Sequence, residues 1–339
     1  MTVDTKTPDT AQFTSTLPIP ETDPTFNWKN CWYPVTFLQD LPKNRPYSFS
    51  LYNEPFVLFR GKNGNLTCLI DRCPHRAAKL SDGQIIDGKI ECLYHGWQFG
   101  SDGKCQHIPQ LAADAKIPKN ACVESFKVVE HQGIIWMWRG EPEAADEHSI
   151  PTLPDLDKSG VVYTDKITDI PYDYSYFIEH SLDLAHLNFV HDGSQGNRNR
   201  KNAQPLEMEV IESSIRGIRG RVRDTNPPNQ SWISFEFIAP NIARFQVSIE
   251  QRGWFIGQVF HLLPLSQGRC RVLSRSYRNF VPWQVKLTPR WLIHMNQNKI
   301  LEEDFLLVGQ QERIEQLGKN LQEVYVPLDT SDLLIIEYR

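Results

Sequence analysis

The sequence predicts an α+β chain in two parts, an all-β module followed by a domain whose sheet is bracketed by helices. Three observations carry this. The 339 residues are too many for one small domain and comfortable for two. Residues 27 to about 140 read as short strands cut by turns. After them, strand-like segments return between two helical stretches. The boundaries that follow are a leader over 1–26, the β module over 27–149 and the α+β domain over 150–339.

The leader is rich in Thr, Pro and Asp from Met1 to about Pro24. It lacks the apolar core of a signal peptide and the Arg-rich face of a transit peptide. Too little apolar surface is present to offset the entropy of ordering, so the leader is expected to be disordered. These signs together place the chain in a prokaryotic cytoplasm. In the β module, Phe56-Val57-Leu58-Phe59 and Leu66-Thr67-Cys68-Leu69-Ile70 flank the turn Gly61–Asn65, and Gly133–Trp138 is a further apolar strand. The acidic stretch Glu141–Ser149 reads as a linker. A helix is predicted from Tyr174 to about Val190. Strands follow at Glu207–Ile211, Ile233–Phe237, Ala243–Ser248 and Arg271–Ser274. A long helix from about Trp291 to Leu317 carries apolar residues at Ile293, Ile300, Leu301, Phe305, Val308 and Ile314.

Composition narrows the function. Hydrophobic residues make up 40% and charged residues 23%, an ordinary globular balance. A formal charge of −5 argues against nucleic acid as partner, since phosphates call for a basic surface. No run approaches the roughly 18 apolar residues of a membrane span. Seven cysteines, an odd count, suit metal ligation or buried thiols better than a disulfide framework. Cys31, Cys68, Cys105, Cys122 and Cys270 are expected to be inert packing. The other two sit in a pattern.

That pattern is Cys73-Pro74-His75 and, after sixteen intervening residues, Cys92-Leu93-Tyr94-His95. Two loops that each offer a thiolate and an imidazole suit a binuclear [2Fe–2S] site, one iron on the sulfurs and the other on the nitrogens. Exchanging two thiolates for neutral imidazoles removes negative charge and raises the potential to roughly −150 to +300 mV. Zinc is the competing ligand, but zinc loops usually group like residues together, whereas each loop here mixes them. Arg76 after the first histidine and Gly96-Trp97 after the second also fit a Rieske loop. Neither loop holds the extra cysteine of the respiratory Rieske proteins.

The second cluster of candidates is Asp183-x2-His186-x4-His191. Two histidines and one carboxylate on one side of Fe(II) leave the opposite positions open for O2 and substrate. On a helix Asp183 and His186 share a face. His186 and His191 lie about 140° apart, so the helix must end or widen between them if both bind one metal. The third ligand has to come from elsewhere, and the late helix offers Glu302, Glu303, Asp304 and Glu312. Asp304 lies among apolar neighbours and is the choice, while Glu302 and Glu303 fit a solvated face. Asp183 either binds the metal or accepts a hydrogen bond from a metal-bound histidine, and the second is preferred.

With these residues in view, the chain resembles the Rieske non-haem iron oxygenases across nearly all of 27–330. It is most similar to the pheophorbide a oxygenase group. The likeness is carried by Trp32-Tyr33-Pro34-Val35, Asp71-Arg72-Cys73-Pro74-His75-Arg76, Gly196-Asn197 through Gln204-Pro205-Leu206-Glu207, and Leu301-Glu302-Glu303-Asp304. The resemblance implies that Cys73, His75, Cys92 and His95 hold the cluster and that His186, His191 and Asp304 hold the mononuclear Fe(II). It makes Asp183 the bridge between the cluster of one subunit and the iron of its neighbour in a homotrimer. It also implies a helix-grip catalytic domain, an external ferredoxin or reductase as electron donor, O2 as oxidant and a hydrophobic small-molecule substrate. That substrate would be a chlorophyll-derived tetrapyrrole such as pheophorbide a, with a smaller alkaloid or natural product as the alternative. A redox-sensing or electron-transfer role is the rival from another class. Phe235, Phe237, Phe245 and Phe260 are expected around the substrate, or else in plain core packing. Two departures from the group stand out. His180 occupies a position often held by Asn, and the chain stops at Arg339 without the group's C-terminal membrane segments or its cysteine pair.

Overall fold

The computed structural model describes residues 26–339 apart from 195–197, 226–229 and 320. The predicted leader, except its last residue Phe26, therefore lies outside the described residues, as does the Gly196-Asn197 part of the family likeness.

The N-terminal part is a stack of small antiparallel sheets. Strands β1 (Trp32–Phe37), β10 (Val128–His131) and β11 (Ile134–Trp138) form one sheet in the order β1-β11-β10. A second joins β2 (Tyr47–Leu51), β3 (Glu54–Arg60), β4 (Leu66–Ile70) and β9 (Ser125–Phe126). A third, of β5 (Gln84–Ile86), β6 (Lys89–Glu91), β7 (Gln98–Phe99) and β8 (Cys105–His107), is a run of short hairpins. The predicted strands at 56–59, 66–70 and 133–138 all fall here. β1 and β11 are buried on both faces, which is why they read as continuous apolar runs rather than as an alternation. The predicted linker folds as two short 3-10 turns, Pro142–Ala144 and Glu147–Ser149.

The C-terminal part is one seven-stranded antiparallel sheet in the order β12-β18-β17-β16-β15-β14-β13. Its strands are β12 (Val162–Ile170), β13 (Leu206–Ser214), β14 (Gly217–Asp224), β15 (Ile233–Ile238), β16 (Ile242–Ile249), β17 (Trp254–Ser266) and β18 (Arg269–Arg278). Helices α1 (Tyr174–Leu182) and α2 (Leu187–Val190) come between β12 and β13. After β18 follow α3 (Pro282–Leu287), α4 (Arg290–Glu303), α5 (Leu306–Leu317), α6 (Leu321–Val324) and α7 (Leu333–Tyr338). Ile178 and Leu182 of α1 pack into a core with Phe235, Leu262 and Val272 of the sheet. None of the described helices is long and apolar enough to cross a membrane.

Both predicted helices are broken, and at informative places. The segment from Tyr174 does not run through to Val190. It stops at Asp183, whose φ/ψ of −91°/114° is extended, and resumes at Leu187. The Asp183 carboxylate ties the turn before the restart, accepting from the Ala185 N–H at 2.7 Å, as short acidic side chains do two residues ahead in turns. Asp183 and His186 therefore do not share a helical face. The late helix divides at Asp304-Phe305 into α4 and α5.

The two parts share their interior. Trp136 of β11 and Val259 and Leu273 of the large sheet belong to one apolar cluster. The buried Arg275 of β18 pairs with Asp165 of β12 at 2.7 and 2.9 Å and donates to the Gln132 carbonyl oxygen at 2.7 Å.

Candidate active site

Two side-chain constellations stand out, one in each part. In the first, the two motif loops repeat one backbone pattern. The Cys73 N–H bonds the Ala78 carbonyl at 2.8 Å and the Cys92 N–H bonds that of Trp97 at 2.8 Å. Ala77 and Gly96, each four residues after its cysteine, return an N–H to that cysteine's carbonyl at 2.9 Å. Both occupy the left-handed region, at φ 57° and 72°, which costs Ala more than Gly. Asp71 pins the first loop by accepting from the Ser81 N–H at 2.7 Å and the Ser81 hydroxyl at 2.5 Å.

This twinned geometry buries Cys73 and Cys92 and leaves His75 and His95 outward, their ring centroids 4.5 Å apart. Trp97 stacks on His75 at 4.6 Å and 5°. Burial pushes the Cys73 thiol up to about 11, so a metal rather than bulk base would have to displace its proton. The four residues could hold a binuclear cluster with its sulfur end inward and its nitrogen end toward solvent.

The second constellation joins the break after α1 to the break after α4. One donor atom from each of His180, His186, His191 and Asp304 lies within 4.8 Å of the others. Asp304 Oδ1 is 2.9 Å from His180 Nε2 and 3.2 Å from His191 Nε2. Nδ1 of His191 donates to Glu303 Oε2 at 2.8 Å, and the Ser194 hydroxyl donates to the same oxygen at 2.5 Å. With its proton committed to Glu303, neutral His191 turns a bare Nε2 lone pair on the Asp304 carboxylate. Two lone pairs at that distance repel unless a cation lies between them, either a proton or a metal ion. The hydrogen bonds and charges of Asp304 and Glu303 accordingly outweigh desolvation and raise the His191 pKa. Asp304 is held down at about 2 despite its burial, because His180 and His191 bond its ionised form. His186 faces Asp183 with Nδ1 3.4 Å from Oδ2, too loose to count as a formed hydrogen bond. Burial keeps His186 neutral, its pKa lowered, as a metal ligand requires. The donor set suits a divalent transition metal.

All four residues line a cavity of about 470 Å³ between α1, α4 and one face of the large sheet. Its walls are mainly apolar, among them Phe177, Phe235, Phe245 and Phe260.

Residues 31–135 match the family described as the Rieske [2Fe-2S] domain, and residues 237–320 match the pheophorbide a oxygenase family. The chain belongs to the Rieske oxygenases of the pheophorbide a oxygenase group. Relatives of this Rieske oxygenase include Protein TIC 55 of Pisum sativum, 36% identical over 93% of this chain and 57% of that protein. Pheophorbide a oxygenase of Oryza sativa subsp. japonica is 32% identical over 86% of this chain and 58% of its own length. Flavonoid 8-hydroxylase 2 of Ocimum basilicum is 28% identical over 85% and 60%. The Rieske oxygenase chain thus spans a little over half the length of these relatives. Among solved structures, dicamba monooxygenase with 3,6-dichlorosalicylic acid aligns at a TM-score of 0.76 and 23% identity, over 91% of this chain and 95% of that one. The QL mutant of NdmA from Pseudomonas putida CBB5 with theobromine aligns at 0.76 and 22%, over 91% and 88%. These likenesses show the shared fold, a Rieske module with a mixed α+β partner.

The comparisons correct one expectation. The relatives carry chloroplastic names, which points to a plastid and overturns the prokaryotic cytoplasm. That expectation rested on the leader's lack of signal-peptide and transit-peptide features.

The structure brings His186, His191 and Asp304 together, places Asp183 beside His186 and sets His180 against Asp304. It changes two readings. Glu303 is no solvated side chain but the partner of His191, and its neighbour Asp304 was the available signal. Phe237 is not among the cavity walls and packs instead on Tyr338, with ring centroids 5.1 Å apart. Of the cysteines expected to be packed, Cys122 is exposed.

Proposed function

We propose that this chain is an oxygenase that uses O2 and externally supplied electrons to oxygenate a compact, flat, apolar organic substrate. The observation that carries this reading is the convergence of His180, His186, His191 and Asp304 at the wall of an apolar cavity. An electron carrier or redox sensor has no use for a metal position that opens onto a substrate-sized space.

In this reading Cys73, His75, Cys92 and His95 hold the [2Fe–2S] cluster, and His186, His191 and Asp304 hold Fe(II). Bound there, Fe(II) supplies redox chemistry with open positions for O2. The protein's own groups do the rest. Glu303 keeps the His191 lone pair aimed inward, Asp183 braces His186, and His180 donates to Asp304. Phe177, Phe235, Phe245 and Phe260 exclude water and seat the substrate. Electrons come from a ferredoxin or reductase. Asp183 bridges to the cluster of a neighbouring subunit in a homotrimer. A plastid is the compartment in keeping with the relatives.

For the substrate, a cavity of about 470 Å³ lies in the lower half of the roughly 300–1,000 Å³ range of small-molecule sites. This favours a compact polycycle, of the size suggested by the basil relative's name, over a whole chlorin such as pheophorbide a. Hydroxylation and demethylation of such a molecule are both within reach of the chemistry. The test is iron and acid-labile sulfide per chain, followed by turnover with O2 and a reductant on flavonoids and chlorophyll breakdown products. About three irons and two sulfides with oxygenated product support the reading. Two irons and two sulfides in Fe(II)-saturated protein, with no product, would leave an electron carrier.

A further inference from the structure

Along β12 the side chains alternate. Asp165 and Asp169 form ion pairs with Arg275 and Arg271, while Lys166 and Thr168 line the cavity. Lys166 is only 5% exposed, and its Nζ has no hydrogen-bond partner among the described residues. A buried ammonium without a partner is unfavourable, and such groups persist where something supplies the missing charge and acceptors. Burial alone drives its pKa down to about 8, against a weaker opposing pull from Glu302.

On α4, Gln297, which reaches Ser276 two residues along β18 from Ser274, the register partner of Lys166, is in the same condition. Its Nε2 donates to the Ser276 hydroxyl at 3.3 Å, and its Oε1 is buried with no partner. A flip of that amide lets Ser276 donate to the oxygen and turns the NH2 toward the cavity, since the two orientations are close to indistinguishable by shape. The other basic side chain of the wall, Arg198, already faces Asp224 at 4.0 Å. Apart from His186 in the histidine cluster, Lys166 and Gln297 are the wall's side chains with a buried polar atom left unpartnered among the described residues, and such groups mark where a ligand's polar end belongs.

We propose that Lys166, assisted by Gln297, binds a carboxylate on the substrate and so fixes which edge of the apolar remainder meets the Asp304 end of the cavity. One ammonium and one amide match the two oxygens and single charge of a carboxylate. A phosphate dianion would bring a second charge with no partner. The inference rests on the oxygenase reading only in calling the ligand a substrate. The competing account is a buried water satisfying Nζ, which predicts no preference for acids.

The experiment uses the metal-loaded full chain and its Lys166→Met and Lys166→Arg variants. Probes are 2-naphthoic acid, anthraquinone-2-carboxylic acid and pheophorbide a, each compared with its methyl ester. Binding is measured anaerobically by calorimetry, and turnover separately with O2 and reductant. The expected result is a preference of roughly 10- to 100-fold for at least one acid over its ester, as a charged hydrogen bond supplies. Lys166→Met should abolish this preference and Lys166→Arg should keep most of it. Equal binding of acid and ester, a preference that survives Lys166→Met, or no binding of any acid overturns the proposal. Oxygenation of acid and ester at equal kcat/KM would sink this inference while leaving the oxygenase reading intact. Acid binding that depends on Lys166, with no product from any probe, would do the reverse.

Discussion

Glu303 Oε2 lies 2.8 Å from His191 Nδ1 and thereby decides which nitrogen of that ring faces Asp304. The contact fixes the tautomer, raises the basicity of the inward nitrogen and locks the ring plane. It is made by a residue one position away from a proposed ligand, so backbone placement of Asp304 sets both at once.

Glu303→Gln should therefore weaken metal retention by about 10- to 100-fold, the usual effect of losing such a partner, and leave the cluster intact. Metal analysis after graded chelation reads this directly. Loss of the cluster's sulfide along with the iron would show global damage instead.

Asp183→Asn keeps the shape of the break after α1 while removing a charge 3.4 Å from His186. Iron and sulfide content should stay at the wild-type level while oxygenation under single-turnover conditions falls at least 10-fold. Parallel loss of metal and rate would reduce Asp183 to a structural tie of that turn.

Arg275 is bound to Asp165 by two hydrogen bonds and to the Gln132 carbonyl by a third, with only about 2% of its side chain exposed. Arg275→Met strands a buried carboxylate, which costs roughly 3–5 kcal/mol. Urea unfolding followed by fluorescence should register that loss. The double variant Arg275→Met with Asp165→Leu should recover part of it, since both partners are then apolar.

Stability against acid should depend on His261, which lies beside Trp136 at a ring-centroid distance of 5.5 Å. Burial, then the nearby Arg275 charge, lowers its pKa to about 3 from the usual 6.5. Between those values the unfolded chain binds a proton that the folded chain refuses, so stability rises with pH there. It is complete above about 6.5 and falls by up to about 1.4 kcal/mol per pH unit as acidity increases. His261→Leu should flatten the difference in urea midpoint between pH 7 and pH 5 relative to wild type. Equal slopes in the two proteins would place the acid sensitivity elsewhere.

What could be read from sequence follows from how local each signal is. The cluster motif of Cys73, His75, Cys92 and His95 was legible because each proposed pair of ligands sits within four residues and the loop chemistry repeats. β12, β14 and β17 were not. β14, Gly217–Asp224, reads as a basic, glycine-bearing turn, and β17 carries Gly257 near its start and Pro264 near its end. Only pairing with neighbours makes them strands. The first break was expected between His186 and His191 and falls instead at Asp183, while the break at Asp304 was invisible for a related reason. Asp183 and Asp304 sit in helix-compatible surroundings, and only tertiary contacts with His180, His186 and His191 favour ending the helix there. Glu303 looked like half of an exposed acidic pair because the histidine it serves is 112 residues away.

That separation has a consequence for the catalytic fold as a whole. Strands β13 to β18 all lie in the stretch of chain between His191 and Asp304. A metal ion bridging the two breaks would therefore act as a cross-link closing a loop of more than a hundred residues. A covalent bond closing a loop that long restricts the unfolded ensemble by about 4–5 kcal/mol, and a coordination bond would do so for as long as it holds. The metal would then be a topological clasp on six strands of the sheet as well as a reagent, and chelation would slacken the protein well beyond its active site.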